Sequence, residues 1–245
     1  YLRGCIEDDT LPHFYGDHDE EGGVFVLRSS DYYRQMRKAF ASTAYLEDGE
    51  AFKSISWRNV MVDDSNETIR EAMYGDKPGV PFELGERIVA KAPVMDVPEF
   101  AAGGVESFCM TTDEEARVIA ITMRSHPIFQ DIECYDILLE LEDGAPATAY
   151  MPTKKGKAAY QRMEVDLAAK AKARSREWAT FWQFKGCFAD LAPCHALTVH
   201  RSQGSTYRTA FVDVADIMSN RTKSEMLRML YTAATRPSKA LIIKV

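Results

Sequence analysis

Ala196-Leu-Thr-Val-His-Arg-Ser-Gln-Gly-Ser-Thr206, followed further on by Tyr231-Thr-Ala-Ala-Thr-Arg236, decides the reading of this 245-residue chain. In the first stretch apolar residues lead into a polar loop, and Gly204 permits close backbone approach. It reads as strand, turn and helix start. The second stretch reads as a helix end carrying a Thr-Arg pair just before a final strand over 240–245. A strand-like run over 209–214 and a Met- and Leu-rich helix over 224–231 lie between them. A strand-end loop presenting His, Ser, Gln and Gly suits phosphate contacts. An Arg beside it can neutralise a developing phosphate charge.

Upstream, strands and helices alternate. A strand is expected at 24–28, then a helix over 32–45 with Ser29-Ser-Asp31 as N-cap. A second strand follows at 52–57, with Trp57, Arg58 and Asn59 at its end. A helix begins at Asp63 or Asp64 and runs to about Met73. This order predicts a parallel sheet. The pattern changes at Gly75-Asp-Lys-Pro-Gly79. Short strand candidates at 86–90, 107–111, 116–123 and 135–141, punctuated by Gly, Pro and Asp, suggest a small β-barrel. Residues 153–180 read as helical, and the parallel-sheet pattern resumes near Leu197. Residues 1–22, with the acidic run Asp17-His-Asp-Glu-Glu21, read as a linker or the end of a preceding domain.

The two opening stretches resemble motifs V and VI of superfamily-one DNA helicases, roughly T-x-H-x-x-Q-G and Y-x-x-x-T-R. They occur in the family's order. Ile55-Ser-Trp-Arg-Asn59, with Val62-Asp63, Asn66 and Ile69-Arg70, resembles motif IV of the RecD/Dda branch. Phe181-Trp182 and Phe184 ahead of motif V add to the likeness. The resemblance covers nearly the whole chain beyond about residue 20, and the ordered set is far more specific than any one motif.

The resemblance implies an α/β fold: a RecA-like parallel sheet with helices on both faces, domain 2A, over 23–80 and 181–245. An inserted domain 2B, a small Src-homology-3-like β-barrel with a helical excursion, would occupy 81–180. It implies an ATP-dependent DNA helicase moving 5′ to 3′, acting as a monomer on single-stranded DNA in the cytoplasm. Enzymes of this branch are frequent in bacteriophages, so a phage origin and a host cytoplasm fit.

The resemblance also implies roles. Arg236 is the arginine finger reaching the γ-phosphate. Gln203, Gly204, Arg70 and Arg58 face nucleotide. Thr198, His200, Asn59 and Ser202 face single-stranded DNA. Thr198, His200 and Asn59 should share the carboxyl edge of the sheet, with Arg236 reaching that side from its helix. The family often carries Glu two residues after the motif V Gly. Thr206 stands there instead, so a ribose contact is not carried over.

Each residue also has a structural reading. Arg236 suits a helix C-terminus, His200 a hydrogen-bonded strand end, and Gln203-Gly204 a polar turn. Arg70 can cap a helix. The Lys- and Arg-rich stretch 154–176 reads as a solvated face. Trp178, Phe181, Trp182 and Phe184 read as a packing seam, because stacking a base requires an exposed ring.

The sequence contains no Gly-x-x-x-x-Gly-Lys-Ser/Thr phosphate loop, and no Asp-Glu pair follows an apolar strand. ATP and Mg2+ would therefore be held mainly by an N-terminal RecA-like domain of the same protein. No residue here is assigned to a metal. The chain reads as the C-terminal portion of a longer enzyme, inactive as an ATPase alone. The missing loop equally fits a non-catalytic nucleic-acid-binding or interaction module. A helicase-like domain within a relaxase or larger replication protein is a third possibility.

Composition is ordinary for a globular protein, 46% apolar. No long apolar run suggests a membrane span. Five Cys residues without zinc-ligand spacing read as free thiols. The net charge of −7 argues against a generic nucleic-acid coat but allows a local basic track.

Overall fold

A computed structural model describes residues 1–20, 22–75 and 80–245. Helix α1 (Leu2–Glu7) is followed by β1 (Asp17–His18), β2 (Gly23–Leu27), α2 (Ser29–Phe40), α3 (Thr43–Glu47), β3 (Phe52–Ser56) and α4 (Asn59–Tyr74). Next come β4 (Arg87–Ala90), β5 (Val94–Met95), α5 (Val97–Ala101), β6 (Phe108–Met110), β7 (Glu115–Ser125), β8 (Glu133–Leu141) and β9 (Pro146–Pro152). Helices α6 (Gly156–Ala173) and α7 (Trp178–Gly186) precede β10 (Leu191–Pro193). The chain ends with β11 (Ala196–Thr198), β12 (Tyr207–Asp213), α8 (Val214–Met218), α9 (Lys223–Ala234) and β13 (Pro237–Lys244). It divides into two units, Tyr1–Gly79 with Cys194–Val245, and Val80–Pro193.

The first unit is built on one sheet in the order β1-β2-β13-β12-β3-β11. The pairings from β2 to β11 are parallel, and β1 adds antiparallel to the edge. Strands β3 and β12 are buried almost throughout, as a parallel sheet covered on both faces requires. Successive residues face opposite layers. Phe211 joins Tyr32, Met36, Phe40 and Ile69 of α2 and α4 on one face. Ala210 and Val212 join Leu227 and Leu230 of α9 on the other. The expected α/β fold, a parallel sheet with helices on both faces, is what forms.

Several boundaries differ. Residues 1–22, expected as a linker or the end of a preceding domain, include α1, whose Cys5 is buried in the first unit's core with Leu2 and Ile6 packed against it. The i, i+3, i+4 spacing of those three residues was masked by the acidic run that follows. The expected 32–45 helix is two helices, because the Ser42 hydroxyl turns back to the Ala39 carbonyl at 2.5 Å. Asn59 opens α4 rather than ending β3. The breaks expected at 17–21 and 75–79 fall partly on residues 21 and 76–79, outside the described residues.

The second unit carries an antiparallel sheet in the order β10-β4-β7-β8-β9 and a two-stranded β5–β6 ladder. The Ala189 N–H donates to the Tyr150 carbonyl at 2.8 Å, tying the approach to β10 back to β9. Ile88, Val118, Ile137 and Leu139 form its core. The first unit, whose second part is expected from 181, resumes at Cys194, close to Leu197, where the parallel-sheet pattern is expected to return. Phe184 and Phe188 pack on Tyr150 and Tyr160 within the second unit, so α7 belongs to its core. Trp182 on the same helix is exposed. Among the described residues no helix is long and apolar enough to cross a membrane.

Candidate functional site

Strands β3 and β11 lie side by side and parallel, with Ser56 opposite Thr198. The segments leaving their carboxyl ends therefore start together. The Val199 N–H donates to the Ser56 carbonyl at 2.9 Å, extending the pairing by one residue. Edge strand β11 is held on its other side by the buried Asn66 side chain, which accepts from the Ala196 N–H at 2.9 Å. Its amide also donates to the Ala196 carbonyl at 3.5 Å. One side chain thus stands in for a further strand.

Asn59 and His200 are both exposed at this edge. Thr198 is half-buried, and its hydroxyl accepts from the Arg201 N–H at 3.4 Å. Three of the four residues expected to face DNA are thus brought to one edge. Ser202 is not available there. It is fully buried, and its hydroxyl donates to the Val199 carbonyl at 2.7 Å. A short polar side chain within a tight turn is spent on the backbone.

Arg58 is also committed. Its Nε meets Asp216 Oδ1 at 2.5 Å. The backbone N–H groups of Trp57 and Arg58 donate to Asp216 Oδ2 at 2.7 and 3.0 Å. Asp216, in the first turn of α8, was missed in the sequence, because Trp57 and Arg58, which it holds, lie far from it in the chain.

The Arg236 backbone lies at the opposite end. It precedes β13, and its carbonyl accepts from the Tyr207 N–H at 3.0 Å where β12 begins. Tyr207 is two residues before Thr209, which pairs with Phe52 at the start of β3. Six residues of strand, about 20 Å, separate that level from Thr198. The Arg236 backbone thus stands where its strand begins, while its guanidinium reaches Ser205, whose N–H donates to the Ser202 carbonyl in the turn that leaves β11.

The guanidinium meets three neutral oxygens at 3.0 Å. Nε donates to the Thr232 carbonyl, Nη1 to the Ser205 carbonyl and Nη2 to Thr235 Oγ1. Gln203 and Gly204 are exposed in the turn leading to Ser205. Gly204 has φ +95°, a left-handed conformation that suits Gly. Asn59 opens α4 at the carboxyl edge, whereas Asn66 already sits level with Ala196, where β11 starts. The helix thus runs antiparallel to the strands and carries Arg70 further towards their amino ends.

The Gln203 N–H donates to the His200 carbonyl at 3.3 Å, so Gln203 and Gly204 belong to the same turn as His200. The nine candidates therefore sort into the turns leaving β3 and β11 (Asn59, Thr198, His200, Gln203, Gly204), Arg236 reaching the end of the second turn at Ser205, Arg70 on α4, and two structural residues (Arg58, Ser202). Arg236 and the turn at Gly204 offer a guanidinium and backbone donors suited to phosphate oxygens. Among the described residues no group of three or more His, Cys, Asp or Glu is placed to hold a metal ion.

Residues 193–243 match the family model for the UvrD-like helicase C-terminal domain. An uncharacterized protein of Acanthamoeba polyphaga mimivirus is 50% identical over 54 residues, 22% of this chain and 11% of that protein. The Pif1 helicase from Candida albicans aligns over 100% of this chain and 52% of its own, at 12% identity and a TM-score of 0.47. A Pif1 helicase from Bacteroides, in complex with ADP-AlF3 and single-stranded DNA, aligns over 89% of this chain and 50% of its own, at 9% identity and a TM-score of 0.41. The chain thus spans about half the length of these solved helicases. The matched segment begins just before β11 and ends within β13, so Thr198, His200, Gln203, Gly204 and Arg236 all lie within the residues that match this model.

Proposed function

We propose that the chain is the C-terminal motor half of an ATP-dependent DNA helicase, translocating 5′ to 3′ on single-stranded DNA as a monomer. The first unit acts as the second RecA-like domain, and the second unit is its insertion. The observation that carries this reading is the placement of Arg236. It lies in the matched segment, beside the Gln203-Gly204 turn, and neutral oxygens rather than a carboxylate hold its guanidinium.

ATP with Mg2+, held mainly by a partner RecA-like domain of the same protein, supplies the phosphoanhydride whose cleavage powers movement. Arg236 swings its fork from the Ser205 carbonyl to the γ-phosphate and stabilises charge spreading over its oxygens. Gln203 and the backbone at Gly204 meet the phosphates from the turn that ends at Ser205, and Arg70 supports them. The Thr198 hydroxyl, the His200 imidazole and the Asn59 amide donate to backbone phosphates of the strand. Nucleotide and DNA thus act on one hydrogen-bonded turn, from His200 through Gln203 to Ser205, so closure around nucleotide is felt directly by the residues that hold DNA.

The test is Arg236→Ala in the full-length protein, read by DNA-stimulated ATP hydrolysis and by single-strand binding. Loss of hydrolysis with binding retained supports the reading. Hydrolysis at the wild-type rate overturns it.

A further inference from the structure

Asp216 sits in the first turn of α8, where the Asp213 carboxylate accepts its N–H at 3.0 Å and caps the helix. Its side chain is 1% exposed. All three donors that meet its carboxylate come from the turn joining β3 to α4: the N–H groups of Trp57 and Arg58, and Arg58 Nε. That turn has no cap of its own, because Arg58, the N-cap residue of α4, makes no side-chain capping bond. A carboxylate from α8, far away in sequence, therefore fixes where α4 begins. A buried anion of this kind is tolerated only when paired and hydrogen-bonded, and Arg58 supplies the charge.

We propose that Asp216 is a positioning residue for single-stranded DNA. It sets the β3–α4 turn so that Asn59, the first helical residue, stands beside Thr198 and His200. The inference rests on the reading of this edge as a DNA track. Asp216 itself touches no DNA; it acts through the two backbone N–H groups it holds and through Arg58. Asp216→Asn keeps the shape and one acceptor oxygen, but turns an amide N–H2 towards Arg58 Nε, donor against donor. Removing Arg58 as well relieves that clash while the remaining oxygen still accepts from the turn.

The experiment measures DNA-stimulated ATP hydrolysis by the full-length protein against oligothymidylate concentration. Asp216→Asn is expected to raise the KM for DNA about tenfold, the loss of one charge-assisted hydrogen bond, with a smaller change in kcat. The double variant Arg58→Ala/Asp216→Asn is expected to recover most of that loss. Unchanged DNA dependence in Asp216→Asn overturns the assignment, as does a double variant no better than the single. If Asp216→Asn does not fold, the double variant carries the test alone: a KM for DNA near the wild-type value supports the assignment, and a KM raised as far as in Asn59→Ala overturns it. The Thr198→Ala/His200→Ala variant separates the two levels of the reading. If it also leaves DNA dependence unchanged, the edge is not the DNA track. If it weakens DNA dependence while Asp216→Asn does not, only the role of Asp216 fails.

Discussion

Arg236 Nη1 donates to the backbone carbonyl of Ser205 at 3.0 Å, linking the end of α9 to the turn that precedes β12. The bond joins the two sequence stretches that define the matched segment. A carbonyl holds a guanidinium weakly compared with a carboxylate, since only one partner is charged. The fork is thus held by groups that a charged partner can displace.

Arg236→Ala in the full-length protein is expected to lower the rate of ATP hydrolysis by about a thousandfold or more, the usual cost of losing an arginine finger. Arg236→Lys is expected to fail as well, because an ammonium lacks the planar fork. Single-strand affinity, read by fluorescence anisotropy, should change little in both. A lysine variant with wild-type turnover would return Arg236 to a role at the helix terminus.

Thr198→Ala/His200→Ala should weaken single-strand binding and DNA-stimulated hydrolysis together, by about tenfold for two lost phosphate contacts. DNA-independent hydrolysis should persist, because the Arg236 guanidinium is held by Thr232, Ser205 and Thr235 and by neither of these residues. Titration of labelled oligothymidylate checks this, and unchanged affinity would leave His200 as a surface residue of the turn.

The 245-residue chain by itself is expected to show no ATP hydrolysis above a buffer blank. Arg236 can stabilise charge only on a nucleotide that other residues hold, and the sequence has no phosphate loop to cradle one. Phosphate release dependent on Arg236 in the isolated chain would sink the division of labour proposed above.

The parallel sheet was legible because period and punctuation agreed: β2, β12 and β13 carry short apolar runs bounded by turns. The short strands were harder. Strand β10 is three residues with a Pro, and β9 opens and closes on Pro, so local signals argued against them while tertiary pairing made them. Candidate residues could be named from the sequence, but not their surroundings. Which end of the sheet the Arg236 backbone occupies follows from strand order, and a buried hydroxyl such as Ser202 looks the same in sequence as an exposed one. Asp216 was invisible because its partners, Trp57 and Arg58, are far from it in the chain.

Two glycine substitutions should move stability in opposite directions. A Cβ on Gly156, at the start of α6, would stand 1.9 Å from the Glu133 carbonyl oxygen. The Gly156 N–H is also held by Thr153 Oγ1 at 3.0 Å, so neither side can yield easily. Gly156→Ala should therefore cost about 2 kcal/mol or more. Gly4, inside α1, meets nothing within 4 Å, and Gly4→Ala should stabilise by up to about 1 kcal/mol through helix propensity. Urea denaturation of the two variants checks both signs.

The second unit should weaken in mild acid through His126. The ring is fully buried. Its Nδ1 accepts from the N–H groups of Ile128 and Phe129 at 3.1 and 3.2 Å. Nδ1 is therefore unprotonated, and Nε2 carries the proton it donates to the Cys187 carbonyl at 3.2 Å. A second proton would face two donors in a buried site. Burial is the main reason its pKa falls from 6.5 to about 4; the Cys187 carbonyl opposes the shift and Arg124 adds to it. The folded state thus binds fewer protons than the unfolded chain between those two values. Stability from the neutral ring is complete above about pH 6.5 and is lost as pH falls towards 4, about 3 kcal/mol in all. His126→Gln removes the titration while keeping an acceptor for the two N–H groups and a donor for the carbonyl. Trp178 and Trp182 both belong to this unit and report its unfolding by fluorescence. Between pH 7 and pH 4.5 the urea midpoint should fall further in the wild-type chain than in His126→Gln. Equal falls would mean that the carboxylates alone set the acid sensitivity, and that His126 is protonated in the folded state without cost.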